Sequence, residues 1–357
     1  MPEPASHSTL SGVLQEQASV SQWPGYWEKL RQRLTASQLL FVVDAKVESL
    51  HSQRLALPEG ASLVTVEASE PQKTQQTVNR LWAEWFSRAA DRKAVVVAIG
   101  GGITTDLAGY AAACWKRGLR WVAVPTTLLA MTDAAIGGKT GVNFQGAKNL
   151  IGAFHQPEIV LQDVAFLETL PQRVLRSGFA EMLKHGLVAD RLHWMELVQN
   201  DLHQQDWARL IPQSANIKAN IVAQDFREKG KRRILNFGHS IGHALESLSH
   251  LQGRPMLHGE AVALGMIAET RLSEQHCGLL PEEARQIRRD IRSFEFPALL
   301  PEWDSVEMTR FLQQDKKNQS GKLHFALLKT LGYAFPAVEV KLEDALAVTM
   351  ELLAKKL

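Results

Sequence analysis

The run Ala94-Val95-Val96-Val97-Ala98-Ile99 is the strongest strand signal in the chain, and it leads straight into Gly100-Gly101-Gly102. A short, continuous apolar run of this kind suits a parallel strand buried on both faces. The glycines let backbone N–H groups approach an anion. The helix that should follow, starting near Thr104-Thr105-Asp106, adds the positive end of its dipole. The spacing departs from Gly-x-Gly-x-x-Gly, because Thr105 stands where the third glycine would be. The loop therefore reads either as a cradle for a nucleotide pyrophosphate or as a tight turn. Leu39–Val43 (ending at Asp44), Leu63–Val66, Trp121–Val124 (stopped by Pro125) and Ile159–Leu161 repeat the strand pattern. Residues 72–90 place Val78, Leu81, Trp82, Trp85 and Phe86 at helical spacing. Strands separated by helices predict an α/β domain with a parallel sheet covered on both faces.

The pattern changes near Pro171. Strand runs thin out, and residues 173–189, 205–223, 236–249, 259–276 and 281–294 read as helices, with one extended piece at Lys322–Leu328. This predicts two domains, 1–171 α/β and 172–357 all-α. Within the helical half, Asn236, His239, His243 and Glu246 fall on one face of the expected helix. Gly238 and Gly242 keep that segment slim, and His258-Gly259-Glu260 follows. Neutral imidazoles beside a carboxylate suit a divalent metal such as zinc.

At 357 residues the chain can bury two cores. A net charge of only +2 gives no electrostatic case for nucleic acid or a membrane surface. No apolar stretch is long enough to span a bilayer, and Met1–His7 reads as a short tail rather than a secretory signal. Two cysteines, Cys114 and Cys277, in apolar sequence surroundings suit a reducing cytoplasm.

Local charge is more telling. Asp133, Gly137-Gly138-Lys139-Thr140-Gly141 and Lys148-Asn149 form a dense set after Pro125-Thr126-Thr127, and Arg117 precedes it. Thr126 and Thr127 could touch a cofactor, cap a helix, or do both. Lys184, Lys218, Arg232 and the pair Lys316-Lys317 add cations near the histidine stripe. Each alone reads as a solvated charge. Together they suit a small substrate with more than one negative group. Glu181, among apolar neighbours, needs a cation, either Lys184 or a metal. With His239 and His258 it makes a three-ligand set of the catalytic kind, with coordination positions left for substrate.

These ordered motifs, from Ile99–Asp106 through Pro125–Leu129, Gly137–Thr140, Lys148–Phe154, Gly178–Glu181, Leu235–His239, His258–Val262 and Asp315–Lys317, resemble the 3-dehydroquinate synthase family over nearly the whole chain. The resemblance implies a Rossmann-like N-terminal domain binding NAD and a helical C-terminal domain carrying the metal, zinc or cobalt, with the active site between them. It implies metal ligands Glu181, His239 and His258. Asp133, Lys184, Lys218, Asn236 and His243 would hold substrate hydroxyls, with His243 the candidate for proton transfer. Arg232 would meet a carboxylate. Lys139, Asn149 and one of Lys316 or Lys317 would meet a phosphate, joined by Arg117 from the second subunit of a homodimer. Asp44, Glu70, Lys73, Gly101, Gly102, Asp106, Thr126, Thr127, Lys139 and Lys148 would line NAD. The implied reaction converts a seven-carbon keto-acid sugar phosphate by transient oxidation, β-elimination of phosphate, reduction and aldol closure. Rival readings are a sister sugar phosphate cyclase, a metal-dependent polyol or alcohol dehydrogenase, and a silent nucleotide-binding regulator.

Overall fold

The computed structural model describes residues 8–10, 13–17, 23, 25–296, 300–314 and 323–354. The Met1–His7 tail and the candidate phosphate residues Lys316 and Lys317 lie outside the described residues. The chain divides into two compact units, Met1–Leu170 and Pro171–Leu357.

The first unit contains β1 (Ser8–Leu10), β2 (Val13–Gln17), α1 (Tyr26–Arg33), β3 (Leu39–Asp44), α2 (Ala45–Leu55), β4 (Ser62–Val66), α3 (Gln75–Ser87), β5 (Val95–Gly100), α4 (Gly102–Cys114), β6 (Arg120–Pro125), β7 (Lys139–Phe144), β8 (Ala147–Phe154) and β9 (Ile159–Gln162). Seven of these strands form one sheet in the order β1-β2-β9-β6-β5-β3-β4. All neighbours run parallel except β1 against β2. Every residue of β5 is buried, as its unbroken apolar run demands. Strand order reverses between β3 and β5, since β4 lies on one side of β3 and later strands on the other. In open α/β sheets the crevice outside the carboxyl ends of the strands at such a point is where ligands bind.

α3 is shorter than the 72–90 pattern. Thr74 caps it, its hydroxyl accepting the Thr77 N–H at 3.3 Å, after a separate turn at Glu70–Gln72. α4 begins at Gly102, two residues ahead of the expected start. The lysine-rich stretch is a hairpin, β7 with β8, which its glycines concealed in the sequence. Gln145 and Gly146 turn it with positive φ values of 47° and 81°, the combination a two-residue hairpin loop requires. Gly141 faces Gly152 across it, and a Cβ on Gly152 would fall 2.2 Å from the Thr140 carbonyl oxygen.

The second unit is built from helices α5 (Gln172–Ala189), α6 (Arg191–Leu197), α7 (Trp207–Gln224), α8 (His239–Leu251), α9 (His258–Cys277), α10 (Pro281–Ser293), α11 (Ser305–Gln313) and α12 (Leu342–Leu353). It is not purely helical. The extended piece seen in the sequence is β10 (Leu323–Thr330), paired antiparallel with β11 (Tyr333–Val340). Among the described residues no helix is long and apolar enough to cross a membrane. Cys114 is exposed, unlike its apolar sequence neighbours suggest, and Cys277 is partly buried.

One buried group links this unit to pH. Burial, with His185 nearby, depresses the His193 pKa to about 4. The unfolded chain takes up that proton near pH 6.5 while the folded chain refuses it until about 4. Stability from this group is therefore complete above 6.5 and lost as pH falls toward 4. The loss is about 3 kcal/mol at most. Urea unfolding between these pH values should fall more steeply for the wild type than for His193→Gln. Parallel curves would assign the acid sensitivity to other groups.

Candidate active site

Three helices of the second unit approach one another unusually closely. A Cβ on Gly259 would fall 1.8 Å from the Ser177 carbonyl oxygen, and one on Gly265 would fall 1.9 Å from that of Gly238. α9 thus lies with its backbone against α5 and the start of α8. Polar groups lock the contact. The Ser177 hydroxyl accepts the Gly259 N–H at 3.0 Å. Arg173 donates to both oxygens of the buried Glu260, at 2.6 and 2.9 Å, and Glu260 also accepts the Leu257 N–H. At the head of α8 the buried Glu269 accepts the N–H groups of Gly238 at 2.6 Å and Ile241 at 3.0 Å. That carboxylate satisfies donors a helix start leaves without intrahelical partners.

The consequence is a meeting of Glu181 on α5, His239 on α8 and His258 on α9. Glu181 has no exposed surface. Its Oε2 accepts from Lys184 Nζ, and its Oε1 lies 3.4 Å from His239 Nε2 and 3.3 Å from His258 Nε2. The sequence left open whether Lys184 or a metal would serve this carboxylate; one oxygen turns to the lysine and the other to the imidazoles. Ligand atoms about 2.0–2.1 Å from a tetrahedral ion stand about 3.3–3.4 Å apart, so these donors fit zinc or cobalt. An all-imidazole alternative, His239, His243 and His258, brings ring nitrogens only within 4.8 Å of one another. The Glu181 set joins a carboxylate to two imidazoles, and His243 is exposed.

Each of these two imidazoles has its other nitrogen engaged. His239 Nδ1 lies 3.1 Å from the Phe237 carbonyl, and His258 Nδ1 lies 3.3 Å from Glu246 Oε2. Burial, followed by the neighbouring cations, drives the His239 pKa well below its usual range. Burial would depress His258 too, but Glu181 and Glu246 outweigh it and lift that pKa to about 10.

The remaining candidates of this unit lie on α7, on α8 and in the turn that precedes α8. His243 lies one turn beyond His239, with ring centroids 5.2 Å from His239 and 5.7 Å from His258. Asn236 is not on α8 as the stripe implied. Gly238, at φ 80°, breaks the helix, and Asn236 closes a 3-10 turn at Lys231–Asn236, donating to Glu228 Oε1 at 2.6 Å. Arg232 is buried in the same turn and donates to the Phe226 carbonyl at 2.7 Å. Lys218 is buried on α7.

In the first unit Asp44, the glycine loop and Thr126-Thr127 collect at the carboxyl ends of β3, β5 and β6, while Arg117 lies before the amino end of β6. Asp44 ends β3 and caps α2, accepting the Lys46 N–H at 2.9 Å, and burial raises its carboxyl pKa. Gly101 and Gly102 open α4. A Cβ on Gly101 would stand 3.1 Å from Thr127, so loop and threonine are neighbours. Thr127 also caps the turn after β6, accepting the Ala130 N–H at 3.2 Å, and Thr126 is buried beside it. Asp133 lies in the following π-helical turn, Ala130–Ala134. Lys73 is buried and donates to Asp106 at 2.6 Å and Asn149 at 2.5 Å. Asn143 joins this network, donating to Glu70 Oε2 at 2.7 Å and accepting the Asn149 N–H at 2.9 Å. Lys139 and Lys148 are exposed on β7 and β8. Arg117 is exposed on a turn where Lys116, Arg117 and Gly118 all have positive φ.

Comparison with known proteins decides the family. Residues 63–177 match the family model of the 3-dehydroquinate synthase N-terminal region, and residues 178–318 match that of the C-terminal region. The chain belongs to the 3-dehydroquinate synthase family. The 3-dehydroquinate synthase of Cereibacter sphaeroides is 40% identical over 341 residues, covering 90% of this chain and 91% of that protein. A 2-epi-5-epi-valiolone synthase from Streptomyces hygroscopicus subsp. jinggangensis, with NAD+ and Zn2+ bound, aligns at a TM-score of 0.83 and 29% identity over 98% of this chain and 99% of that one. A 2-deoxy-scyllo-inosose synthase complexed with carbaglucose-6-phosphate, NAD+ and Co2+ shares the fold, at a TM-score of 0.84 and 23% identity over 98% and 100% of the two chains.

For a 3-dehydroquinate synthase family chain, sequence reasoning missed the groups that hold the ligand-bearing helices in place. Glu269, Arg173 and Ser177 carry no local signal, because their partners lie on other helices. Glu228 and Asn143 are legible only once the turn and hairpin exist. The close helix contact is testable. Gly259→Ala should lower unfolding free energy by about 1–3 kcal/mol and weaken divalent-cation binding, because α9 must withdraw from α5 and carry His258 from Glu181. Urea unfolding and chelator competition check both. A destabilised variant with unchanged cation affinity would uncouple helix packing from the ion.

Proposed function

We propose that this chain converts 3-deoxy-D-arabino-heptulosonate 7-phosphate into 3-dehydroquinate and phosphate, as a carbon–oxygen lyase using NAD and a divalent cation. The observation that carries this reading is the meeting of Glu181, His239 and His258 at 3.3–3.4 Å in a chain of this family. Those three residues hold the cation. NAD lies along Asp44, Glu70, Lys73, Gly101, Gly102, Asp106, Thr126, Thr127, Lys139 and Lys148, at the carboxyl ends of the strands. When bound, the cation polarises a ring hydroxyl and NAD takes up and returns one hydride, leaving no net redox change.

The chain's own side chains do the positioning. Lys184, Lys218, Asn236 and Asp133 bind substrate hydroxyls, and Lys184 also neutralises Glu181. His243, exposed beside both ligand imidazoles, moves a proton at a hydroxyl through a ring nitrogen. Arg232 is pinned by the Phe226 carbonyl and meets the substrate carboxylate. Lys139, Asn149 and one of Lys316 or Lys317 clamp the phosphate, so that its oxygens lie near the proton to be removed. Arg117 completes the clamp from the second copy in a homodimer, which suits its exposed turn of left-handed backbone.

Sister cyclases share the fold, but identity to 3-dehydroquinate synthases, 40% for the Cereibacter sphaeroides protein, exceeds the 29% and 23% found for the two cyclase structures. Given the heptulosonate phosphate, NAD and zinc, the protein should release phosphate without accumulating NADH, and a chelator should stop it. Accumulating NADH would instead assign a dehydrogenase. Glu181→Ala should cut turnover at least about a hundredfold. A His243→Asn variant with full turnover would remove the proton role from His243.

A further inference from the structure

One carboxylate stands against the far side of a ligand. Glu246 Oε2 lies 3.3 Å from His258 Nδ1, while His258 Nε2 lies 3.3 Å from Glu181 Oε1. The imidazole is thus held at both nitrogens by carboxylates from different helices. Glu246 follows His239 and His243 along one face of α8, at spacings of seven and three residues. Its side chain is only 12% exposed, so its charge is not dispersed into bulk water.

The comparison with the other imidazole is informative. His239 gives Nδ1–H to a neutral acceptor, the Phe237 carbonyl, which lies on its own chain segment two residues earlier. That contact is local, and it follows from the chain path into α8. His258 sits at the first position of α9, and its Nδ1 partner comes from α8. α8 therefore supplies one ligand directly and orients the second through Glu246.

We propose that Glu246 is a positioning residue for the cation: its carboxylate accepts the His258 Nδ1–H, fixes Nε2 as the ligating atom, and raises the basicity of that ring toward the ion. This rests on the assignment of Glu181, His239 and His258 as ligands.

The test uses the full chain and reads affinity for zinc and cobalt by competition with a chromophoric chelator. Glu246→Leu keeps the bulk and removes the acceptor. It should weaken binding about 10–100-fold, the usual effect of losing such an outer partner. Glu246→Gln keeps an acceptor oxygen without the charge and should recover much of the loss. Nitrogen NMR of the zinc-loaded wild type should show His258 protonated at Nδ1, and Glu246→Leu should broaden or shift that signal. Wild-type affinity in Glu246→Leu overturns the proposal, as does Glu246→Gln binding as weakly as Glu246→Leu. If leucine prevents folding, Glu246→Ala makes the same comparison. Glu181→Ala and His258→Ala separate the two readings. If these keep full affinity, the ligand assignment has failed. If they lose the ion while Glu246→Leu keeps it, the ligands stand and Glu246 has no such role.

Discussion

Glu181 is a carboxylate with no exposed surface, placed between an ammonium and two imidazoles. Burying such a charge costs several kcal/mol unless partners replace the lost water. Here Lys184 donates to one oxygen and the other faces Nε2 of His239 and His258, groups that come from α5, α8 and α9. The arrangement exists only because those helices approach to backbone contact at Gly259 and Gly265. Arg173, Ser177, Glu260 and Glu269 then fix the helix starts that carry His239 and His258. A site of this kind is a property of helix packing as much as of the ligand residues themselves.

The first unit solves a different problem. Its six parallel strands, β2, β9, β6, β5, β3 and β4, bring Asp44, the Gly100–Gly102 loop and Thr126-Thr127 to one edge of the sheet. Reversal of strand order between β3 and β5 opens the crevice there, flanked by Asp44 and the glycines. Close packing keeps the loop in place, since a Cβ on Gly100 would meet Thr104 at 2.5 Å. Lys73 is committed to Asp106 and Asn149, so it orders that edge as well as adding charge to it.

Much of this was legible in the chain. The five apolar runs became β3, β4, β5, β6 and β9; β3, β5, β6 and β9 are continuously apolar because both their faces are buried, while β4 is a half-buried edge strand. The five helical stretches of the second half also stand, within a few residues at each end. Motif identity pointed to Glu181, His239 and His258, which the fold brings together. What was not legible depends on partners distant in sequence. The β7–β8 hairpin was hidden by its glycines, whose role is close strand approach. Periodicity extends the α8 pattern back to Asn236, but it cannot register the left-handed Gly238 that starts the helix after it. β11 and the short helices α6 and α11 carry patterns too brief or mixed to stand out from connecting segments.

The most direct test of the central claim is anomalous diffraction at the zinc edge from crystals grown with stoichiometric zinc. The account predicts one strong peak per chain, bonded to Glu181 Oε1, His239 Nε2 and His258 Nε2. A peak ligated by His239, His243 and His258 with Glu181 left on Lys184, or one elsewhere on the chain, would contradict it.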